Sequence, residues 1–297
     1  MRAPRTLDRW KQLLRISYWG MKSRFGGYGL AEFRIIQRIE GLVRKAIKSD
    51  TAVIQGHRMC LGANDDLNLS VDGQFTPQET AAFQREVHEG GTVVDVGANI
   101  GYFTLLFARL VGPHGRVFAF EPEPTNFDLL RMNVELNGYS NVTLIPKAVS
   151  GISGTARLYL AEHKGDGRIF DSHDGRESIP VDTVRLDDFF HDFQGRIDLI
   201  KIDIQGAEPA ALRGMTKLIE KHPRARIILE FWPIGLKLFG EDPEGFLRSL
   251  EHLGFSLWNL DEQYGRTVPT TTSELVDRYP ARAEDFFNHT NLLCRRE

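Results

Sequence analysis

Residues 92–107 read TVVDVGANIGYFTLLF, and the periodicity of this stretch changes halfway along. The apolar run 93–96, interrupted by Asp95, predicts a short buried strand. A turn with two glycines follows, and from Tyr102 onward the apolar residues recur at helical spacing. A strand, a glycine turn and a helix in this order form the first unit of a nucleotide-type α/β sheet, with the ligand at the carboxyl end of the strand.

The positions of the glycines argue against a dinucleotide. In the pattern G-x-G-x-x-G that starts at Gly97, Asn99 and Tyr102 occupy the second and third glycine positions. Those glycines let the backbone approach a pyrophosphate and let the helix pack closely on the strand. The lysine of a phosphate-binding loop is missing as well. The turn Asp95-x-Gly97-x-x-x-Gly101 therefore favours an adenosyl ligand without a pyrophosphate, and we predict S-adenosylmethionine. An ordinary strand-to-helix turn is the alternative.

The composition predicts one large domain with an extension. The chain has 297 residues, of which 41% are apolar and 26% are charged, and this is enough for a full-sized core. Its two cysteines, Cys60 and Cys294, have no metal-binding spacing, which favours a reducing, cytoplasmic environment. We find no apolar run long enough to span a membrane and predict no signal peptide.

The charge is distributed unevenly along the chain. Residues 1–50 contain 12 Lys/Arg and 4 Asp/Glu, a balance of +8, which leaves 25 basic and 36 acidic residues, or −11, in the rest. Two amphipathic helices separated by a glycine cluster are predicted in this basic arm. The arm could pack on its own domain, or on a second copy of the chain to give a homo-oligomer. The alternatives are that it binds an acidic partner or an anionic membrane surface. The acidic body does not favour a nucleic-acid partner.

The rest of the chain is predicted to have two parts. Residues 51–91 contain short strands and a helix that cover one edge of the site, and residues 92–297 form the ligand-binding domain. Three acidic residues of the first part, Asp65, Asp66 and Glu79, are interpreted as surface carboxylates, and contact with the ligand is the alternative. Within the second part, residues 151–190 depart from strand–helix alternation and predict a lid-like insertion. His173 in this insertion is a candidate acid/base group or acceptor-binding residue.

Side chains with chemical functions follow the second and third predicted strands. Glu121 ends the strand 117–120, where a carboxylate would accept hydrogen bonds from both ribose hydroxyls. After the strand 142–145, the small side chain of Ala148 would leave room for an adenine ring.

The fourth predicted strand, 197–204, carries Lys201 and Asp203 two residues apart and therefore on one face. Polar side chains in a strand that is buried on both faces cost free energy unless they are paired or have a function. The two side chains form either a structural ion pair or a pair that handles the proton of an acceptor hydroxyl.

The C-terminal part predicts how the sheet ends. A strand at 225–231 is followed by a helix at 243–253 and by strands at 255–260 and 289–294. A helix followed by two strands reads as a terminal antiparallel hairpin, which is typical of a methyltransferase-type sheet rather than of an all-parallel dinucleotide-binding sheet. The predicted class is thus α/β and Rossmann-like, with a terminal antiparallel hairpin.

Four segments, in this order and spacing, resemble the FkbM family of S-adenosylmethionine-dependent methyltransferases: DVGANIGYFT (95–104), AFEPEPTNFDLLRMNVELNG (119–138), VDTVRLDD (181–188) and DLIKIDIQGAE (198–208). The resemblance covers roughly residues 65–232, with the terminal hairpin in outline. It implies a class I methyltransferase fold with a seven-stranded sheet. It also implies methyl transfer, usually to a hydroxyl oxygen of a sugar, polyketide or related natural product.

The resemblance also implies roles for single residues. The residues at the matching positions around the methionine end of the cofactor are Asp95, Gly97, Asn99 and Gly101. Glu121 would bind the ribose, Ala148 would lie beside the adenine, and Asp203 would lie at the reacting end. Gln205 stands where the family usually has a glutamate. We predict that Asp203 is the catalytic base or orients it, with His173 as the second candidate. No metal is predicted, because no His/Cys cluster is present. Mg²⁺ held by Asp203 and Glu230 is the alternative.

Two functions from other classes remain open at this point. A nicotinamide-linked oxidoreductase would need the missing glycines and would bind NADH. A non-catalytic adenosyl-binding or membrane-associated interaction protein would use the basic arm of residues 1–50 and transfer no methyl group. The identity of the methyl acceptor does not follow from the fold.

Overall fold

The computed structural model describes residues 34–63, 65–160, 167–171, 175–261, 265–282 and 288–296, with the backbone alone at 34–40. It divides into two compact units, residues 1–75 and 76–297. The boundary falls inside the segment 51–91, so that the strands of this segment belong to the first unit and its helix to the second. The first predicted helix of the basic arm lies outside the described residues, as does His173.

The N-terminal unit contains helix α1 (Arg34–Ile47), the antiparallel pair β1 (Thr51–Ile54) and β2 (His57–Cys60), and the one-turn helix α2 (Leu69–Asp72). Asp65 is buried here. Its carboxylate accepts the backbone N–H groups of Leu69 and Ser70 at 2.9 Å each and so caps the N-terminus of α2. The interpretation of Asp65 as a surface carboxylate is therefore wrong. Burial raises the pKa of Asp65 above its ordinary value.

The larger unit begins with α3 (Pro77–Glu86), β3 (Thr92–Val96), α4 (Tyr102–Val111), β4 (Arg116–Phe120), α5 (Pro124–Leu136), β5 (Val142–Ile145), β6 (Ala148–Val149), β7 (Gly154–Tyr159), β8 (Ser178–Val184), α6 (Leu186–Phe189), β9 (Leu199–Ile202), α7 (Glu208–Arg213) and α8 (Thr216–Lys221). It ends with β10 (Arg226–Phe231), α9 (Pro233–Leu238), α10 (Pro243–His252), β11 (Ser256–Asp261), β12 (Arg266–Thr270), α11 (Thr272–Arg278) and β13 (Thr290–Arg295).

The main sheet has the strand order β12-β11-β13-β10-β9-β3-β4-β5 within the described residues. Strands β10, β9, β3, β4 and β5 are parallel, and β13 runs antiparallel between β10 and β11. The predicted α/β fold with a terminal antiparallel hairpin is confirmed. The sheet has eight strands rather than the seven predicted, because β12 adds an antiparallel edge to β11. This edge strand contains Pro269 and little apolar alternation, so the sequence pattern did not indicate it.

The insertion forms a second, small sheet of order β6-β8-β7. Strands β7 and β8 pair antiparallel from Gly154 opposite Thr183 to Tyr159 opposite Ser178. Ala148 of β6 is buried and packs with Leu158 and Val181 in the core of this sheet. The described part of the insertion therefore contains two paired strands, β7 and β8, followed by the short helix α6.

The core lies on both faces of the parallel strands. Every residue of β3 and β9 is buried, which explains why most residues of these two strands are apolar. Phe83 of α3 makes edge-to-face contacts with Phe103 and Phe107 of α4, at centroid distances of 4.9 and 4.8 Å. The carboxyl ends of β4, β3, β9 and β10 meet at one edge of the sheet, and the candidate site lies there.

Candidate active site

The glycine turn after β3 packs directly on the loop after β9. Gly97 has a φ of +79°, and a Cβ atom at this position would collide with the backbone carbonyl oxygen of Asp203. The amides of Gly97 and Ala98 both donate to the carbonyl oxygen of Phe120, at 3.0 Å each, and so connect the turn to the end of β4. Gly97 is therefore needed both for its backbone conformation and for the close approach of two loops.

Glu121 connects the end of β4 with the same turn. Its Oε2 accepts the N–H of Asn99 at 2.8 Å, and its Oε1 accepts the N–H of Glu123 at 2.9 Å. Burial raises the pKa of Glu121 to about 7, although both backbone hydrogen bonds lower it. Each oxygen retains a lone pair, so the ionised carboxylate has two acceptor sites for a ligand.

Lys201 of β9 connects the acidic groups of two strands. Its Nζ lies 2.7 Å from the carbonyl oxygen of Gly97, 3.3 Å from Asp95 Oδ1 and 3.8 Å from Asp203 Oδ2. The predicted ion pair with Asp203 is present, but the pair with Asp95 is shorter. Burial alone would lower the pKa of Lys201, but the carboxylates of Asp95 and Asp203 outweigh burial and raise it. Lys201 is therefore a buried cation that holds the turn, while the second oxygen of Asp95 accepts the Thr104 hydroxyl at 2.6 Å.

The side chain of Gln205 joins the ends of β9 and β10. Its Nε2 donates to Asp203 Oδ1 at 3.0 Å and to Glu230 Oε2 at 3.2 Å. Gln205 has a φ of +57°, which a non-glycine residue rarely adopts. An amide supplies two donors here, whereas a glutamate would bring a third carboxylate to the same point. The departure from the family's usual glutamate thus changes the charge of the site.

Two further carboxylates are buried nearby. Glu208 Oε1 accepts the N–H groups of Ile204 and Gly206 at 3.0 and 3.3 Å, and burial raises the pKa of Glu208 to about 7. Glu79 in the first turn of α3 is buried and acts electrostatically on both Lys201 and Glu230. The interpretation of Glu79 as a surface carboxylate is therefore wrong. Its place in the site depends on how α3 packs, which the sequence pattern did not indicate.

His289 is a polar residue of this edge that the sequence reasoning missed. It directly precedes β13, and its Nε2 lies 3.8 Å from Glu230 Oε1. Antiparallel pairing of β10 with β13 brings the two residues together. Within the described residues, no group of three or more His, Cys, Asp or Glu side chains has an arrangement that could hold a metal ion. No helix in this part of the chain is long and apolar enough to cross a membrane.

Three relatives show what the chain is similar to. Methyltransferase 1 of Beauveria bassiana is 30% identical over 41% of this chain and 57% of its own length. The 31-O-demethyl-FK506 methyltransferase FkbM of Streptomyces tacrolimicus is 32% identical over 44% and 61%. The hexuronic acid methyltransferase AglP of Haloferax volcanii is 28% identical over 46% and 54%. The chain thus covers less than two thirds of the length of each of these relatives.

A comparison with protein-family models identifies the methyltransferase FkbM domain over residues 95–257, more than half of the chain. This range begins at Asp95 and includes Glu121, Lys201, Asp203 and Glu230. It therefore contains the glycine turn and the carboxyl ends of the parallel strands described above. The chain belongs to the FkbM family of S-adenosylmethionine-dependent methyltransferases.

Proposed function

We propose that the protein transfers the methyl group of S-adenosylmethionine to a hydroxyl oxygen of a sugar, polyketide or related small natural product. The observation that carries this proposal is the position of Glu121, a buried carboxylate at the tip of β4 whose two oxygens are held by the backbone of the glycine turn and of the following loop. A ribose presents two adjacent hydroxyl donors, and a carboxylate accepts both, whereas a phosphate at this point would be repelled.

The surrounding residues fit the same cofactor. The turn Gly97–Gly101 contains the positive-φ residue Asn99 in place of the second glycine of a dinucleotide site, which supports an adenosyl group without a pyrophosphate. Asp95 and Lys201 would support the turn at the methionine end, and the backbone of Ala148 would border the adenine. When bound, S-adenosylmethionine supplies a methyl group already activated by its sulfonium, so the main tasks of the protein are to position the acceptor and take its proton.

Asp203 is the proposed residue at the reacting end. Its side chain is 32% exposed at the end of β9, between the turn that contains Gly97 and the amide of Gln205. It either takes the acceptor proton or orients the group that does so. An Asp203→Ala variant that binds the cofactor normally and turns over at the wild-type rate would exclude both roles. The names of two relatives, 31-O-demethyl-FK506 methyltransferase and hexuronic acid methyltransferase, support an oxygen-rich acceptor.

Calorimetric titration tests the cofactor assignment. Wild type, Glu121→Ala and the control Glu135→Ala, which changes an exposed glutamate of α5, are titrated with S-adenosylmethionine, S-adenosylhomocysteine and NADH. We expect the first two ligands to bind wild type and the control equally. We expect the dissociation constants of both ligands to be at least about tenfold higher for the Glu121→Ala variant, which is a loss of about 1.4 kcal/mol in binding free energy. Binding of NADH alone would overturn the proposal.

The acceptor class is tested by following S-adenosylhomocysteine release. The panel consists of methyl hexopyranosides, methyl glycosides of hexuronic acids and vicinal diols, with the corresponding fully O-methylated compounds as controls. Release that requires a free hydroxyl supports the proposed acceptor class. Release only with amines or thiols added to the same assay would contradict it.

A further inference from the structure

The side chain of Gln205 bridges the carboxyl groups of two neighbouring strands. Asp203 directly follows β9, and Glu230 belongs to β10, which pairs with β9 in parallel. Gln205 Nε2 donates to Asp203 Oδ1 at 3.0 Å and to Glu230 Oε2 at 3.2 Å. An amide nitrogen has two hydrogens, so this bridge uses both of them. Gln205 therefore supplies donors to two carboxyl groups that repel each other when both are ionised.

The backbone of Gln205 has an unfavourable conformation. Its φ of +57° lies in the left-handed region, which is unfavourable for a residue with a Cβ atom. The next residue, Gly206, has a φ of +100°, and a Cβ atom there would collide with the backbone of Gly235 in α9. The loop after β9 is therefore held closely against α9. Strained residues persist where the surrounding structure holds them, and a strained residue in a candidate site is a reason to infer a function for it.

Both oxygens of the Asp203 carboxylate face a donor or a cation. Oδ1 accepts the amide of Gln205, and Oδ2 lies 3.8 Å from Nζ of Lys201. Lys201 is buried within β9, whereas Asp203 is partly exposed at the end of the strand. Each carboxylate oxygen has more than one lone pair, so the group can still accept a proton from a ligand. The orientation of this carboxylate is therefore set by the ion pair with Lys201 and by the hydrogen bond from Gln205.

The bridge lies among several acidic groups. Burial raises the pKa of Glu230 well above its ordinary value. A glutamine at position 205 adds donors without adding charge, whereas a glutamate would add a further negative charge at this point. The other charged or titratable groups that act on Glu230 or lie within 4 Å of it are Asp203, Glu208, Glu79, Lys201 and His289.

We propose that Gln205 is a positioning residue that holds the Asp203 carboxylate in the orientation in which it takes the hydroxyl proton of the methyl acceptor. This inference rests on the proposed function, in which Glu121 binds the ribose and Asp203 lies at the reacting end. The ends of β9 and β10 are then the acceptor side of the site. During transfer, the hydroxyl oxygen forms its bond to the methyl carbon, and the carbon–sulfur bond breaks with its electron pair left on sulfur. The hydroxyl proton passes to Asp203 and from there to solvent.

Two substitutions of similar size separate the donors of Gln205 from its charge. Gln205→Met removes both donors, and Gln205→Glu replaces them by a negative charge. The probe is the compound of the acceptor panel that gives the fastest release of S-adenosylhomocysteine. We expect kcat of Gln205→Met to fall by at least about tenfold at an almost unchanged KM, because a displacement of about 1 Å can cost about 100-fold in rate.

The pH profile of Gln205→Glu gives a readout that a merely structural role would not change. The acid limb of its kcat–pH profile should move up by about one pH unit, because an added negative charge favours the protonated form of the carboxyl groups around it. In Gln205→Met the limb should move less, since no charge is added.

Gln194→Met and Gln194→Glu are the matched controls. Gln194 is exposed and precedes β9 at the opposite end of the strand, and its amide nitrogen donates to the carbonyl oxygen of Asp192 at 3.2 Å. Both controls should keep the wild-type kcat and pH profile. All variants should bind S-adenosylhomocysteine with dissociation constants within about twofold of wild type. Weaker binding by Gln205→Met alone would assign the amide to the cofactor site and overturn the inference.

A double-mutant cycle tests whether Gln205 acts through Asp203. Asp203→Ala is expected to lower kcat by about 10²–10⁴-fold. If the amide only positions this carboxylate, adding Gln205→Met to Asp203→Ala should lower kcat by less than about twofold further. A double variant whose loss equals the product of the two single losses would contradict the inference.

Gln205→Gly separates the side chain from the strained backbone. Glycine adopts a positive φ without strain, and this substitution also removes the amide. We expect the variant to be as slow as Gln205→Met. A wild-type rate would show that the amide is not needed.

The outcomes separate the two proposals. If wild type is active, kcat of Gln205→Met falls by less than about tenfold and the acid limb of Gln205→Glu does not move, the assignment of Gln205 is wrong and the proposed function stands. A wild-type rate of Asp203→Ala would exclude Asp203 and Gln205 but not methyl transfer itself. A wild-type protein that binds S-adenosylmethionine but releases no product with any hydroxylated probe would overturn both proposals.

Discussion

Binding of S-adenosylmethionine is expected to release a proton from Glu121. Burial raises the pKa of this carboxyl to about 7 in the free protein, so about half of the molecules carry the proton at pH 7 and about three quarters at pH 6.5. Ribose hydroxyls donate to the ionised carboxylate, and the positive sulfonium also favours it. The bound state therefore has an ionised Glu121, and binding releases about 0.5 proton at pH 7, about 0.75 at pH 6.5 and almost none at pH 8.5.

Calorimetry at pH 6.5 in two buffers of different ionisation enthalpy measures this number directly. The affinity for S-adenosylmethionine should also fall by about tenfold per pH unit below pH 6. In Glu121→Gln, both the proton release and this pH dependence should disappear. Glu208→Gln is the control, because Glu208 is the other carboxyl with a pKa raised to about 7. Equal proton release from wild type and Glu121→Gln would refute the reasoning, and its loss in Glu208→Gln would reassign the proton.

Three further predictions concern stability. Because the folded pKa of Glu208 is about 7 against an ordinary 4.5, the ionised form destabilises the fold as pH rises between these values. Glu208→Gln should therefore raise the free energy of unfolding by about 1–3 kcal/mol at pH 8 and leave it unchanged at pH 4. Gly97→Ala should cost more than about 2 kcal/mol and abolish cofactor binding, because its Cβ meets a backbone carbonyl. Lys201→Met should cost about 3–5 kcal/mol, because it leaves Asp95 as a buried charge without its cation.

Urea unfolding followed by circular dichroism measures all three changes. Gly240→Ala is the control for Gly97→Ala, since it has a similar φ of +90° but open space around the added Cβ, and it should cost only about 1 kcal/mol. Equal losses for the two alanine variants would show that backbone strain, and not the collision, limits Gly97. A Glu208→Gln variant whose stability changes equally at pH 4 and pH 8 would contradict the linkage argument. A Lys201→Met variant as stable as wild type would contradict the role of Lys201 as the cation that compensates Asp95.

The sequence indicated the loops at the carboxyl ends of β3 and β4 well, because each feature there is local. An apolar run predicts a strand, and the residue after a parallel strand lies at the ligand edge whatever the details of packing. Glu121 and the turn from Gly97 to Gly101 could therefore be located from their neighbours in the chain. Their environment could not, since the hydrogen bond from Asn99 to Glu121 joins two loops that only the folded sheet brings together.

The part of the candidate site next to β10 and β13 depends on pairing between distant strands. His289 meets Glu230 through the antiparallel register of β10 and β13, and the spacing of apolar residues does not specify that register across a long connection. The burial of Glu79 depends in the same way on helix packing. The edge strand β12 was missed for another reason, because an exposed edge needs no apolar face and tolerates proline.

The contact between the turn at Gly97 and the carbonyl of Asp203 lies between the proposed cofactor side of the site and its proposed acceptor side. With no space for even a methyl group between the two loops, a shift of one loop must move the other. We therefore expect ligands on the two sides to be thermodynamically coupled. The factor by which the cofactor changes the affinity for the acceptor would then equal the factor by which the acceptor changes the affinity for the cofactor. Substitutions at this contact that change the range of acceptors would alter cofactor affinity as well. Engineering of a new acceptor preference is therefore better begun near β13, which β10 and β9 separate from β3 in the sheet.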